Sequence, residues 1–137
     1  GVNYLDSLKA AEEFFEAANA ALKVGGLLLF DISSQYKLEN ILGCNTFAED
    51  EQGGAYIWKN NYDPKSRLIE MNLTFFERHG ELYRRFTERH IQRAHSVDEL
   101  LSALNRAGFD AEAYDFETTD PVKPDSERVQ FSGRKRR

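Results

Sequence analysis

The sequence predicts an α/β fold whose sheet is interrupted by an inserted antiparallel β-meander. Three observations predict it. The stretch Leu22-Lys23-Val24-Gly25-Gly26-Leu27-Leu28-Leu29-Phe30-Asp31-Ile32 runs from a helix end through two glycines into an apolar run that stops on an acid. Residues 55–94 then break into aromatic and alternating segments separated by turn signals. After Ser96 helical spacing returns, and two further strand patterns close the chain.

Residues near 7 to 23 read as the first helix, because Ala11, Phe14, Phe15, Ala18 and Leu22 recur at helical spacing. Ser7 is placed to cap it, and Glu12, Glu13 and Glu16 face elsewhere, which makes the helix amphipathic. Gly25 and Gly26 end it, since glycine tolerates the left-handed backbone of a helix stop. Leu27 to Ile32 lacks alternation and predicts a strand buried on both faces, as in a parallel sheet flanked by helices. In open α/β sheets, ligands bind outside the carboxyl ends of the strands, where Asp31 would sit. The same position suits a cap or turn residue for Ser33-Ser34.

Ala55 to Tyr62 is rich in aromatic and β-branched residues, and Asp63-Pro64-Lys65-Ser66 is a turn signal. Arg67 to Arg78 alternates, setting Leu68, Glu70, Asn72, Thr74 and Phe76 against Ile69, Met71, Leu73 and Phe75. His79-Gly80-Glu81 is a second turn, and Leu82 to Ala94 a third strand. A short fourth strand fits near Thr46-Phe47-Ala48. Ser96-Val97-Asp98-Glu99 is a capping box opening a helix through Leu100, Leu101, Leu104 and Ala107, which Gly108 closes. Strands over Ala111 to Thr118 and Arg128 to Gly133 finish the chain, antiparallel because their link is too short for a helical crossover. Residues 1–43 and 95–137 are thus assigned to the α/β part, and 44–94 to the inserted β unit.

Composition narrows the class. The chain has 137 residues, 41% hydrophobic and 30% charged, which suits one soluble domain with a real core. No apolar run reaches the roughly 18 residues of a membrane helix, and the first residues lack the regions of a signal peptide. The single cysteine, Cys44, has no internal partner, and no Cys/His spacing suggests a metal site. A reducing cytoplasm is therefore expected. The net charge of −5 argues against a general nucleic-acid binder. The basic tail Arg134 to Arg137 reads as a solvated terminus.

The order of elements resembles the second half of a class I S-adenosylmethionine (SAM) dependent methyltransferase. That family's Rossmann-like sheet ends with a reversed strand slotted between the previous two. Its fifth strand follows a leucine-x-x-glycine-glycine turn, matched by Leu22 to Gly26, and its closing helix ends in an Ala-Gly-Phe turn, matched by Ala107-Gly108-Phe109. The resemblance is closer to a bacterial branch of small methyltransferases, through Asn3-Tyr4-Leu5, Phe30-Asp31-Ile32 with Tyr36-Lys37, and Tyr56, Trp58, Asn60, Tyr62 and Asp63. Leu73 to Phe76 and Glu88-Arg89-His90-Ile91-Gln92-Arg93 extend it over nearly the whole chain. The family's glycine-rich SAM loop and ribose-binding acid are not in this sequence. The resemblance therefore implies the C-terminal part of the enzyme, with the N-terminal SAM-binding half absent and this chain alone inactive.

The resemblance also implies roles. Asn3 and Tyr4 would lie beside the methionine portion of SAM, at the end of the fourth strand. Asp31 and Tyr36 would face the acceptor as catalytic groups, because a carboxylate or tyrosine near the methyl can orient an amine or hydroxyl. Tyr56, Trp58 and Tyr62 share a strand face and form either an aromatic substrate lid or the small domain's core. Glu88, His90 and Gln92 share another face, suited to a polar substrate or to a wet cross-strand ladder. Arg93 could clamp an anionic substrate group. A small-molecule acceptor, no membrane and no nucleic-acid partner are expected, with a homodimer through the open strand edge. The competing reading is a non-catalytic binding module built on the meander.

Overall fold

A computed structural model describes residues 1–137. A short 3-10 turn, Val2–Tyr4, precedes helix α1 (Leu8–Ala21) and strand β1 (Leu27–Ser33). A π-helical turn, Lys37–Leu42, leads to β2 (Thr46–Glu51), β3 (Gly54–Asp63), β4 (Leu68–His79) and β5 (Leu82–Arg93). Helix α2 (Val97–Arg106), β6 (Phe109–Asp115) and β7 (Arg128–Lys135) follow. Two sheets result, one ordered β1-β7-β6 and the other β2-β3-β4-β5, with antiparallel ladders throughout. The reversed β7 sits between β1 and β6, which therefore run in the same direction.

Both helices pack on one face of the three-stranded sheet. Ser7 caps α1 by accepting the Ala10 N–H, and Ser96 and Glu99 close a full capping box on α2. Ala11 and Phe15 of α1 meet Leu100, Ala103 and Leu104 of α2 over Ile32, Phe109, Val129 and Phe131. Phe30 stacks on Phe15 at 5.5 Å and on Phe131 at 4.9 Å. This arrangement corrects the expectation that β1 is buried on both faces. Leu27 is 48% and Leu29 68% exposed, because no element of this chain covers the second face. The outer edge of β1 is also unpaired.

The meander has four full strands. The sequence suggested only a short β2, because Glu49-Asp50-Glu51 has low strand propensity. Those acids are tolerated at a sheet edge, where charge also blocks unwanted pairing. Its inner face packs on the π-helical turn, with Leu38, Leu42, Ile69, Met71 and Ala94 as the second core.

The basic tail is only partly solvated: Arg134 and Arg137 are exposed, whereas Lys135 and Arg136 are half-buried. Lys135 Nζ donates to the Asn19 and Leu22 carbonyls at 2.6 and 2.8 Å, and Arg134 donates to the Gly25 carbonyl at 2.9 Å. The last carbonyls of a helix lack internal partners and attract cations, which is why α1 draws the tail onto its end. Gly25 itself has φ +84°. Gly25→Ala is expected to cost about 1–2 kcal/mol of left-handed strain, visible as a lower midpoint in urea. An unchanged midpoint would show that the turn relaxes.

Candidate functional site

Cross-strand register fixes what the inner face of the meander presents. Directly opposed residues share a face, so Asn60, Met71 and His90 form one rung, and Phe47, Trp58, Leu73 and Glu88 the next. Trp58 and Tyr62 pack into the second core: Trp58 lies against Phe47 at 5.3 Å, and the Tyr62 hydroxyl donates to Glu39 at 2.5 Å. Burial, with Glu39 as acceptor, pushes the Tyr62 phenol well above its ordinary pKa. Trp58 and Tyr62 thus pack against this core as partly buried rings.

At the edge of this face two candidates from opposite ends of the chain meet. The Tyr4 hydroxyl lies 3.1 Å from His90 Nδ1, and the rings meet edge-on with centroids 6.0 Å apart. His90 Nε2 lies 3.1 Å from Glu88 Oε2. The tautomer follows from these partners. Glu88 can only accept, so Nε2 carries the proton and Nδ1 accepts from the phenol. Carboxylate, imidazole and phenol thus form a continuous relay, and the Tyr4 side of it is open, with Tyr4 50% exposed. Such a chain can orient a nucleophile and take up its proton.

Tyr4 is held in place from behind. Asn3 donates to the Ser33 and Arg93 carbonyls at 3.1 and 3.2 Å and accepts the Ser33 N–H at 2.9 Å. Its amide is therefore occupied by backbone. His95 Nε2 donates to the Val2 carbonyl at 3.0 Å, while Arg93 Nη1 donates to His95 Nδ1 at 2.6 Å and to Glu99 Oε1 at 2.8 Å. Arg67 donates to Glu99 Oε2 at 2.7 Å. Arg93 is only 7% exposed, so its guanidinium faces this internal carboxylate and not an incoming anion. The reason is local: Glu99, at the N3 position of α2, turns back onto the end of β5.

Burial would raise the Glu99 pKa, but its hydrogen bonds from Arg67, Arg93 and the Ser96 N–H outweigh that and hold it below the usual carboxylate value. Burial lowers the His95 pKa, and the Arg93 charge acts the same way against the Val2 carbonyl and Glu99. A histidine whose folded pKa is depressed contributes stability that is complete above its unfolded pKa of about 6.5 and is lost as pH falls toward the folded value. The depressed Glu99 acts in the same direction at lower pH. The melting temperature is therefore expected to fall as pH drops below about 6.5, and His95→Gln is expected to flatten the first part of that decline. An identical decline in His95→Gln would contradict this assignment.

The remaining candidates lie apart. Asp31 is ion-paired with Arg128 and lines a cavity with Leu29, Tyr114 and Phe116 on the uncovered sheet face. Tyr36 borders a different cavity, with Glu39, Val122 and Lys123. The structure does not bring Asp31 and Tyr36 together. Tyr56 stays on the meander's inner face, two residues from Trp58 toward the hairpin tip. Cys44 is exposed, with Sγ 3.9 Å from Asn61 Oδ1. No cluster of three or more His, Cys, Asp or Glu side chains could hold a metal ion. Sequence reasoning missed His95 and the role of Glu99 beyond its cap. The only available signal was the capping box itself, which places Glu99 over the residues preceding Ser96.

Comparison with known proteins gives this arrangement a context. No family model matches the chain. It is 33% identical over 136 residues to the Bacillus subtilis protein named "Putative methyltransferase YqeM", covering 98% of this chain and 55% of that protein. A crystal structure of a SAM-dependent methyltransferase from Clostridium acetobutylicum superimposes with a TM-score of 0.91 at 31% identity, over 98% of this chain and 55% of the other. The fold is that of part of a SAM-dependent methyltransferase. CalS10, an amino pentose methyltransferase from Micromonospora echinaspora, shares that fold at a TM-score of 0.73 and 17% identity, over 97% of this chain and 54% of its own. The chain thus spans about half the length of the methyltransferases it matches. Within this methyltransferase fold, the Tyr4–His90 pair lies where the turn preceding α1 meets the four-stranded sheet.

Proposed function

We propose that this chain is the C-terminal, acceptor-side part of a SAM-dependent methyltransferase, in which Tyr4, His90 and Glu88 orient the acceptor and receive its proton. The observation that supports it is the Tyr4–His90 contact, which joins residues 86 apart in sequence from two different structural units. Residues 1–43 and 95–137 act as the closing part of the catalytic α/β domain, and 44–94 as a subdomain over the acceptor.

Asn3 does not fit the cofactor role, since backbone groups occupy its amide. Tyr4 fits it, with an exposed ring beside β1's carboxyl end and a hydroxyl already hydrogen-bonded to His90. The bound cofactor would supply an electrophilic methyl on a sulfonium. Chemistry at such a centre needs alignment, a proton acceptor and exclusion of water. Tyr4 aligns the acceptor nucleophile, His90 Nδ1 takes the proton relayed through the phenol, and Glu88 balances the charge formed on the imidazole. The Asp31–Arg128 pair ties β1 to β7 on the uncovered sheet face, and Tyr36 borders a separate cavity. Exposed Leu27 and Leu29 and the free β1 edge receive the upstream strands and helices of the longer protein. Alone, the chain pairs that edge with a second copy. No helix is long and apolar enough to cross a membrane. The acceptor is a small molecule, since the acidic, aromatic meander face disfavours polyanions.

Calorimetric titration of SAM and S-adenosylhomocysteine tests the reading. No heat of binding is expected with this chain and saturable binding with the longer protein. Tight binding by this chain alone would end the half-site reading and favour a self-contained module.

A further inference from the structure

The inner face of the meander continues beyond His90 toward the hairpin tip. Two rungs follow the one holding Glu88. Glu49, Tyr56, Phe75 and Phe86 form the first, and Glu51, Gly54, Glu77 and Arg84 the second. The Phe75 and Phe86 rings stack at 4.9 Å and 18°, and Tyr56 tilts onto Phe75 at 6.4 Å and 53°. The aromatic rung borders a cavity of about 310 Å³ that Glu49, Glu51 and Glu77 also line. The second core, built on Leu38 and Leu42, does not extend to these three rings.

Cross-strand stacking explains why Phe75 meets Phe86. It does not explain three carboxylates around half-buried rings. Arg84 stands opposite Glu77 in the register, with its guanidinium carbon 5.3 Å from the centroid of Phe86 and Nη1 3.9 Å from Glu77. The protein's own cation thus already uses one ring face and one acid of this cavity. Aromatic faces attract cations through their quadrupole, and flanking carboxylates add charge attraction. The same acids repel phosphate and carboxylate groups.

We propose that the Tyr56–Phe75–Phe86 rung is a subsite for an organic ammonium group, protonated or quaternary, carried by the methyl acceptor. Four residues separate Phe86 from His90 on β5, a span of roughly 13 Å, so the ammonium lies about that far from the reacting atom. The placement relative to the reacting atom rests on the proposed function; the ammonium subsite itself does not.

The test titrates this chain with choline and with 3,3-dimethyl-1-butanol, its uncharged isostere, following the ring resonances of Tyr56, Phe75 and Phe86 by NMR. Choline is expected to give saturable shifts at these three rings, with the neutral isostere bound about tenfold more weakly. Arg84→Ala, at a side chain 68% exposed, is expected to tighten choline binding by removing the competing cation. Glu49→Gln is expected to weaken it. Absence of saturable shifts overturns the proposal, as does equal binding of the isostere or an Arg84→Ala variant that binds choline no better. Choline binding at the rung together with no SAM binding by the longer protein would retire the methyltransferase reading and leave the ammonium subsite standing. SAM binding with a rung indifferent to choline would do the reverse.

Discussion

Glu99→Ala is expected to destabilise the fold by about 3–5 kcal/mol. Glu99 accepts from Arg67 at 2.7 Å, from Arg93 at 2.8 Å and from the Ser96 N–H at 2.9 Å. Alanine leaves the Arg93 guanidinium buried without its anion and opens the capping box of α2. His95 cannot substitute, because it contacts Arg93 as a neutral acceptor. Small domains are stable by only about 5–15 kcal/mol, so the variant would lose a large share of its stability. Urea denaturation measures this directly. Glu99→Gln keeps an acceptor for the Ser96 N–H and is expected to fall between wild type and alanine. A loss below about 1 kcal/mol for alanine, the scale of an exposed pair, would show that Arg93 reaches water instead.

Tyr4→Phe and His90→Gln are each expected to lower methyl transfer by the longer protein by about 10²-fold or more, the range of positioned acid–base groups. Tyr4 is exposed and His90 half-buried at the edge of the face, so folding should change little and the loss should appear in kcat. If the two act as one relay, the double variant should be hardly worse than either single one. Multiplicative losses would show that Tyr4 and His90 work independently. Glu88→Gln should cost less, since it sets only the tautomer and charge of the imidazole.

The sequence conveyed most of the elements because their causes are local. Ser7 and Ser96 announce their helices, and alternation in β3, β4 and β5 defines both faces of the meander. What depends on distant partners was hidden. Tyr4 and His90 were each identified as candidates, but their contact spans 86 residues and depends on how Val2–Tyr4 docks against β5. Asp31 showed nothing in its neighbourhood of its partner Arg128. His95 carries no signal of its role in the sequence, and only folding encloses it beneath Val2. The Arg134 to Arg137 tail resembled a solvated end because the α1 carbonyls it meets lie over a hundred residues earlier in the chain. The open face of β1 reflects a further limit: apolar Leu27 and Leu29 indicate that a cover is wanted, and nothing within these 137 residues supplies it.

The most direct test of the account is a crystal structure of the longer protein with S-adenosylhomocysteine, and within it the position of the cofactor sulfur relative to Tyr4. The sulfur is expected to point at the Tyr4–His90 pair across a gap that admits the transferred methyl and one acceptor atom, with the acceptor on the order of 3–3.5 Å from the methyl carbon. A sulfur directed away from Tyr4, or a Tyr4 hydroxyl parted from His90 and turned into the protein, would contradict it.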